Sequence, residues 1–335
     1  MTDFAISKKA WPHERRDFNH ERREFNFNRT NKEYPNYTIL KKPIYKNPFE
    51  FPKPRNVELG SRNLMMQNAK NIKNLQTLRS VKAQTPHSMY NPELIIEPLT
   101  FNQKTYNVIR DDYLCGGTKQ RGLVPLMENS EATEFVYAGP TTGYAQVALA
   151  YAAKITGKRA TIIVNREKNV HPFTSKAFNY GAKIIQVSNG HLRKIQIKAE
   201  SYVENRPFAE LIPFGGNSEK FIEYMYDSIM FALPQELIEN NPKRLWLVCG
   251  SATLLQVLYR VFPTTEFIII QIGKKIWDDQ LQLHRTTKYV ANERFQEKAF
   301  VMPPYPTVAT YDAKLWIYAS QHARDGDFIW NVACD

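Results

Sequence analysis

Arg110-Asp-Asp-Tyr-Leu-Cys-Gly-Gly-Thr-Lys-Gln-Arg121 is the stretch whose reading decides the fold. It follows YNVIRDD (106–112), which reads as a strand, and it precedes a helix over 119–128. Paired glycines at 116 and 117 let the backbone turn tightly and approach a ligand closely. Lys119 then falls in the first helical turn, where the positive end of the helix disfavours an ammonium. That suits a lysine that must react as a free amine. A solvated lysine at a helix start remains the plain alternative.

Outward from this stretch the chain alternates strands and helices. Phe135–Ala138, Ala160–Val164, Lys183–Val187, Arg244–Val248, Glu266–Gln271 and Phe328–Val332 read as strands. Tyr144–Thr156, Phe173–Tyr180, a segment capped by Asn217 or Ser218 and running through Phe231, Thr253–Phe262 and Asp312–Ala323 read as helices. Strands spaced by helices of this length predict parallel sheets under helical cover. Two more strand-to-helix turns have unusual composition. Ala138-Gly-Pro-Thr-Thr-Gly-Tyr-Ala-Gln146 enters an alanine-rich helix, and Gly250-Ser-Ala-Thr253 follows a buried strand. Each offers free backbone N–H groups and hydroxyls to a carboxylate or phosphate, and each also reads as an ordinary N-cap. The Gly250–Thr253 turn lacks the spacing of a nucleotide P-loop and of a dinucleotide fingerprint.

Composition separates a leader from a body. Residues 1–90 hold 18 Lys and Arg against 8 Asp and Glu, +10 of the total +12. They contain the repeat HERRDFN-HERREFN (13–26), a Pro- and Asn-rich stretch, and one amphipathic helix over 61–84. Cations interleaved with Phe and Tyr suit phosphates and bases, and equally a docking arm for a partner subunit or a solvated tail. No apolar run reaches the roughly 18 residues of a membrane span. The opening MTDFAISKKAWPHERR has no secretory apolar stretch, so a cytoplasmic protein is expected. Cys115, Cys249 and Cys334 lie far apart, and no metal is expected.

Taken in order, these motifs resemble the fold-type II enzymes of pyridoxal phosphate (PLP), the group of tryptophan synthase β, threonine synthase and aminocyclopropanecarboxylate (ACC) deaminase. VIRDDYLCGGTKQRGL is similar to the deaminase segment whose lysine forms the Schiff base, which implies that role for Lys119. PTTGYAQVALAYAAKITGKRATIIV resembles the loop that takes the substrate carboxylate, which implies Thr141, Thr142 and Gly143. LVCGSATLLQVL looks like the phosphate cradle, which implies Gly250, Ser251, Ala252 and Thr253. The family's usual Asn beside the cofactor ring is replaced by Tyr144. Thr307 is the candidate to face the ring nitrogen; a neutral hydroxyl there favours β-elimination or replacement. Tyr305 and Tyr311 are further acid/base candidates, with Tyr305 against the substrate, while Asp111 and Asp112 read as structural.

The resemblance covers residues 90–335. It implies an α/β fold with two domains, parallel sheets covered by helices, and a basic N-terminal extension. Residues 91–135 and 240–335 would form the larger, PLP-binding domain, 136–239 the smaller one, and 1–90 the extension. Three functions stay open. One is a PLP lyase or transferase acting on a free amino acid, working as a homodimer. Another is a PLP enzyme acting on an amino-acid group attached to a nucleotide or DNA base, with nucleic acid held by residues 1–90. The last is a non-catalytic binding protein on the same fold.

Overall fold

The computed structural model describes residues 90–188 and 191–335. The heptapeptide repeat, the helix expected over 61–84 and nearly all of the basic extension therefore lie outside the described residues.

Among the described residues ten strands form two sheets. They are β1 (Ile96–Phe101), β2 (Lys104–Arg110), β3 (Glu134–Ala138), β4 (Arg159–Asn165), β5 (Lys183–Val187), β6 (Ala209–Ile212), β7 (Arg244–Cys249), β8 (Glu266–Gln271), β9 (Thr286–Val290) and β10 (Phe328–Asn331). The larger sheet has the order β1-β2-β10-β7-β8-β9, and the smaller has β5-β4-β3-β6. Every pairing is parallel except β1 with β2. RLWLVC and EFIIIQ are near-continuous apolar runs because β7 and β8 are covered on both faces, as parallel strands must be. Trp246 and Trp330 are the largest fully buried side chains of this sheet.

Eight helices complete the described chain: α1 (Thr118–Glu128), α2 (Ala145–Ile155), α3 (Pro172–Asn179), α4 (Leu192–Glu204), α5 (Glu219–Ala232), α6 (Gln235–Glu239), α7 (Thr253–Val261) and α8 (Trp316–His322). None is long and apolar enough to cross a membrane. Ser218 caps α5, its hydroxyl accepting from the Phe221 N–H at 3.3 Å, so of the two expected caps it is Ser218 that serves.

The expected strands are all present, with ends shifted by a residue or two. The strand expected over 106–112 begins at Lys104 and stops at Arg110, because Asp111–Tyr113 close into a 3-10 turn. The helix expected from Asp312 begins as another 3-10 turn, Asp312–Leu315, and becomes α8 only at Trp316. Elements not expected from the sequence are β1, α4, α6, β6 and β9.

The shared direction of the parallel strands decides where chemistry can sit. In parallel α/β sheets ligands gather beyond the carboxyl ends of the strands. Here β2, β10 and β7 are neighbours, so the segments leaving them (111–117, 332–335 and 250–252) meet at one edge. Gly117 makes the meeting close. Its φ is +61°, and a Cβ there would lie 2.5 Å from the Val332 carbonyl oxygen. Thr118 N–H then donates to that same oxygen at 2.9 Å.

Candidate active site

Asp111 and Asp112 are buried and each is paired. Arg121 Nε and Nη2 donate to Asp111, the latter at 2.7 Å, while Nη1 donates to the Pro92 carbonyl at 2.9 Å. Arg110 holds Asp112 with two bonds of 2.8 Å. Trp330 Nε1 donates to Thr118 Oγ1 at 2.9 Å. These contacts grip the residues on both sides of Lys119 and fix the first turn of α1.

Lys119 itself is half-buried, and its Nζ donates to the Gly215 carbonyl at 3.1 Å. Burial lowers its pKa from the ordinary 10.5 to about 8, opposed by the nearby Asp312. The amine opens on a cleft shared with Gly250, Ser251, Ala252, Thr253 and Tyr311. The lysine and the Gly250–Thr253 turn are thus brought together from positions more than a hundred residues apart.

That turn has the form of an anion cradle. Ala252 sits at φ +60°, in the left-handed region, as the residue before α7, a nine-residue helix. Ser251 Oγ and Thr253 Oγ1 lie 3.0 Å apart. Gly250 N–H donates to Tyr311 Oη at 3.1 Å, which leaves the phenol's own proton free to donate. Burial pushes the Tyr311 phenol upward, so it stays protonated. Backbone N–H groups at a helix start and paired hydroxyls suit a phosphate.

Two residues beside Lys119, neither of them lining the cleft, were not legible as site residues. Gly215 lies at the carboxyl end of β6, at φ +77°, and a Cβ on it would fall 2.3 Å from Ser251 Cβ. Only glycine lets the small sheet's loop come this close to the large sheet's turn while presenting a carbonyl to Lys119. Asp312 is the other. Both its carboxylate oxygens are buried without a hydrogen-bond partner. Burial pushes this carboxyl well above the ordinary range; the Val332 and Ala333 N–H groups pull the other way without reaching hydrogen-bond geometry.

The remaining expected residues lie elsewhere. Thr141 is buried, its hydroxyl donating to Glu167 and its carbonyl accepting from Gln146 Nε2 at 2.5 Å. Thr142 and Gly143 are half-buried, in a turn closed by Gly143 N–H to the Pro140 carbonyl at 3.0 Å. Tyr144 donates to the Cys115 carbonyl and accepts from Lys176, each at 3.0 Å. Tyr305 packs edge-on to Trp316, and burial pushes its phenol upward, with Asp312 adding to the effect. Thr307 is buried and its hydroxyl donates to Asn331 Oδ1 at 2.8 Å. None of Thr141, Thr142, Gly143, Tyr144, Tyr305 and Thr307 is among the residues lining the Lys119 cleft.

No protein-family model and no curated protein matches the sequence. Solved structures do match. An ACC deaminase homologue is 14% identical with a TM-score of 0.59, over 75% of this chain and 92% of that one. A hydrogen sulfide-producing enzyme from Fusobacterium nucleatum is 15% identical with a TM-score of 0.56, over 78% and 89%. Escherichia coli diaminopropionate ammonia lyase is 13% identical with a TM-score of 0.51, over 78% and 87%. All are fold-type II PLP enzymes, and the described chain has their fold.

Proposed function

We propose that this chain is a PLP-dependent lyase or transferase acting at the α or β carbon of an amino acid, with the cofactor held covalently by Lys119. The observation that carries this reading is that the depressed amine of Lys119 and the Gly250–Thr253 cradle open on one cleft. The residues fit the group: a reactive amine at one end, a phosphate site at the other, and a buried carboxyl without a partner beside them. PLP supplies an electron sink for carbanion chemistry.

The chain's own residues then have distinct tasks. Gly250–Thr253 would hold the phosphate at the start of α7. Lys119, once released from the cofactor, would take or return a proton at the substrate carbon, for which a pKa of about 8 is well matched. The Thr141–Gly143 loop would fix the substrate carboxylate, through Thr142 and through the Thr141 hydroxyl and Gly143 N–H once these leave Glu167 and the Pro140 carbonyl, their partners here. Tyr311 would donate its free phenolic proton within the cleft.

Asp312, in place of Thr307, is the group we assign to the ring nitrogen. A carboxylate there would keep that nitrogen protonated and strengthen the electron sink, whereas the Thr307 hydroxyl is already spent on Asn331. Asp312→Asn should weaken cofactor binding by about tenfold or more, the worth of one charged hydrogen bond. The apo protein should melt no lower, since a partnerless buried acid is replaced by a neutral isostere. Fluorescence titration with PLP measures the first and calorimetry the second. A loss of affinity on Thr307→Val, with none on Asp312→Asn, would reverse the assignment.

The covalent link is tested by borohydride reduction of the PLP-loaded protein and peptide mapping, with the label expected on Lys119. Its rate of formation should climb with pH and level off above a midpoint near 8, as the ammonium becomes an amine. A rate still climbing toward the ordinary lysine value of 10.5 would mean that the amine is not held in a desolvated cleft.

A second reading rests on the +10 charge of residues 1–90. An amino-acid group attached to a nucleotide or DNA base would be delivered by such a segment. Salt-sensitive retention of DNA by the full chain, lost when that segment is removed, would favour it over a free amino acid.

A further inference from the structure

A second cleft lies at the opposite, amino-terminal edge of the smaller sheet. Glu134 opens β3, Arg159 opens β4 and Lys183 opens β5. In the ladder Glu134 stands opposite Arg159, and Thr161 stands opposite Lys183. Strand alternation therefore puts these four side chains on one face. It is the face that α4 covers, since Tyr202 in the last turn of α4 donates to Glu134 Oε1 at 2.9 Å. Beyond Tyr202 the helix ends, leaving an open cleft of about 500 Å³ whose wall also includes Arg206 and Phe208.

The charges in this cleft do not balance. Glu134 is its one acid, and the carboxylate is taken by Thr161 and Tyr202. Burial raises its pKa, but those two bonds with Arg159 and Lys183 outweigh burial and hold it below the ordinary value. Against it stand Arg159, Lys183 and Arg206, and none of the three makes an ion pair among the described residues. Arg206 spends one nitrogen on the Tyr202 carbonyl at 2.6 Å, and its guanidinium lies 3.8 Å over the Tyr202 ring. Arg159 keeps only a 3.3 Å bond to Thr133 Oγ1. Phe208, on the rim, is 65% exposed.

Three unpaired cations on three separate segments call for an anion with several charged centres. Arginine forks suit phosphate oxygens, and an exposed aromatic face beside them suits a base. We propose that this cleft is a binding site for a nucleoside di- or triphosphate, its phosphates on Arg159, Lys183 and Arg206 and its base against Phe208. The site lies the length of β3 away from the carboxyl-end loops, roughly 16 Å at strand rise. A ligand here is an effector, not the substrate of the Lys119 cleft, and the proposal does not depend on the PLP reading.

The test is titration calorimetry of the full-length protein with ATP, tripolyphosphate and a single-stranded thymidine oligonucleotide, at near-physiological salt. ATP should bind with one-to-one stoichiometry. Arg159→Ala combined with Lys183→Ala should weaken ATP and tripolyphosphate alike, by about tenfold or more, as expected for lost charged hydrogen bonds. Arg206→Gln alone should weaken both less. Phe208→Ala should weaken ATP and leave tripolyphosphate unchanged. Thr253→Ala, in the other cleft, should change neither, and the surface variants should melt like the parent. Several results would overturn the site: no ATP binding, or binding indifferent to Arg159 and Lys183, which would place the anion on the basic N-terminal segment. Loss in Thr253→Ala would do the same, as would an oligonucleotide that needs these residues while ATP does not bind.

Discussion

Lys119→Ala should leave a folded protein that no longer holds PLP covalently. The parent, loaded with PLP, should be yellow, with a near-visible band that borohydride abolishes. The variant should show only the spectrum of reversibly bound cofactor, removable by dialysis, because the Gly250–Thr253 cradle survives. Turnover of any substrate found should drop by about 10³-fold or more, since a general base alone contributes about 10²–10⁴. Stability distinguishes this from misfolding, and its sign can be worked out. A lysine whose folded pKa is lowered to about 8 costs the apo fold stability below that pH. The cost is relieved as pH rises from about 8 toward the unfolded 10.5. The variant should therefore melt no lower than the parent at neutral pH, and its melting temperature should lose the parent's rise across that window. A parent that stays colourless with added PLP would leave a binding protein on this fold.

How far this site is legible in the sequence depends on the distance over which its residues act. Lys119 and Gly117 announce themselves locally, through paired glycines between a strand and a helix. The strand EFIIIQ is bounded correctly because burial on both faces writes a continuous apolar run, whereas KIIQV is an edge strand with no buried residue and is marked by the Gly181 turn before it. Other elements carry weaker marks. In β1, Pro98 speaks against a strand, and the β1–β2 turn uses Asn102 and Gln103, both at positive φ, in place of the expected Asn-Gly. The strand β9 (TTKYV) is an edge strand with no buried residue. In α4 only Ile195 and Ala199 are buried, so its apolar stripe is too thin to stand out. Gly215 and Asp312 are hidden for a different reason. Gly215 reads as the approach to the Ser218 cap, and Asp312 as an acid in a helical first turn. Their roles arise from Ser251 and Lys119, which only the fold brings to them.

Arg121→Ala should be the most destabilising single change near the site, costing about 3–5 kcal/mol as a broken buried ion pair. Arg121 and Asp111 are 2% and 1% exposed, and the guanidinium uses all three nitrogens, on Asp111, Asn91 and the Pro92 carbonyl. Truncation strands the Asp111 carboxylate in a place where water cannot replace the lost donors. The pair is not required for burial as such, however. Replacing both partners, with Arg121→Met and Asp111→Leu, should recover much of the loss, because the desolvation cost of both charges disappears together. Chemical denaturation of the two single variants and the double variant measures the coupling. Arg121 follows Lys119 by two residues in the first turn of α1, so this cycle also separates folding from positioning. If the pair only stabilises the fold, the double variant should load PLP at the parent's rate. If it also aims Lys119, the double variant should regain stability while covalent loading stays slow. Single variants as stable as the parent that also load PLP at its rate would show that the Asp111–Arg121 pair carries neither role.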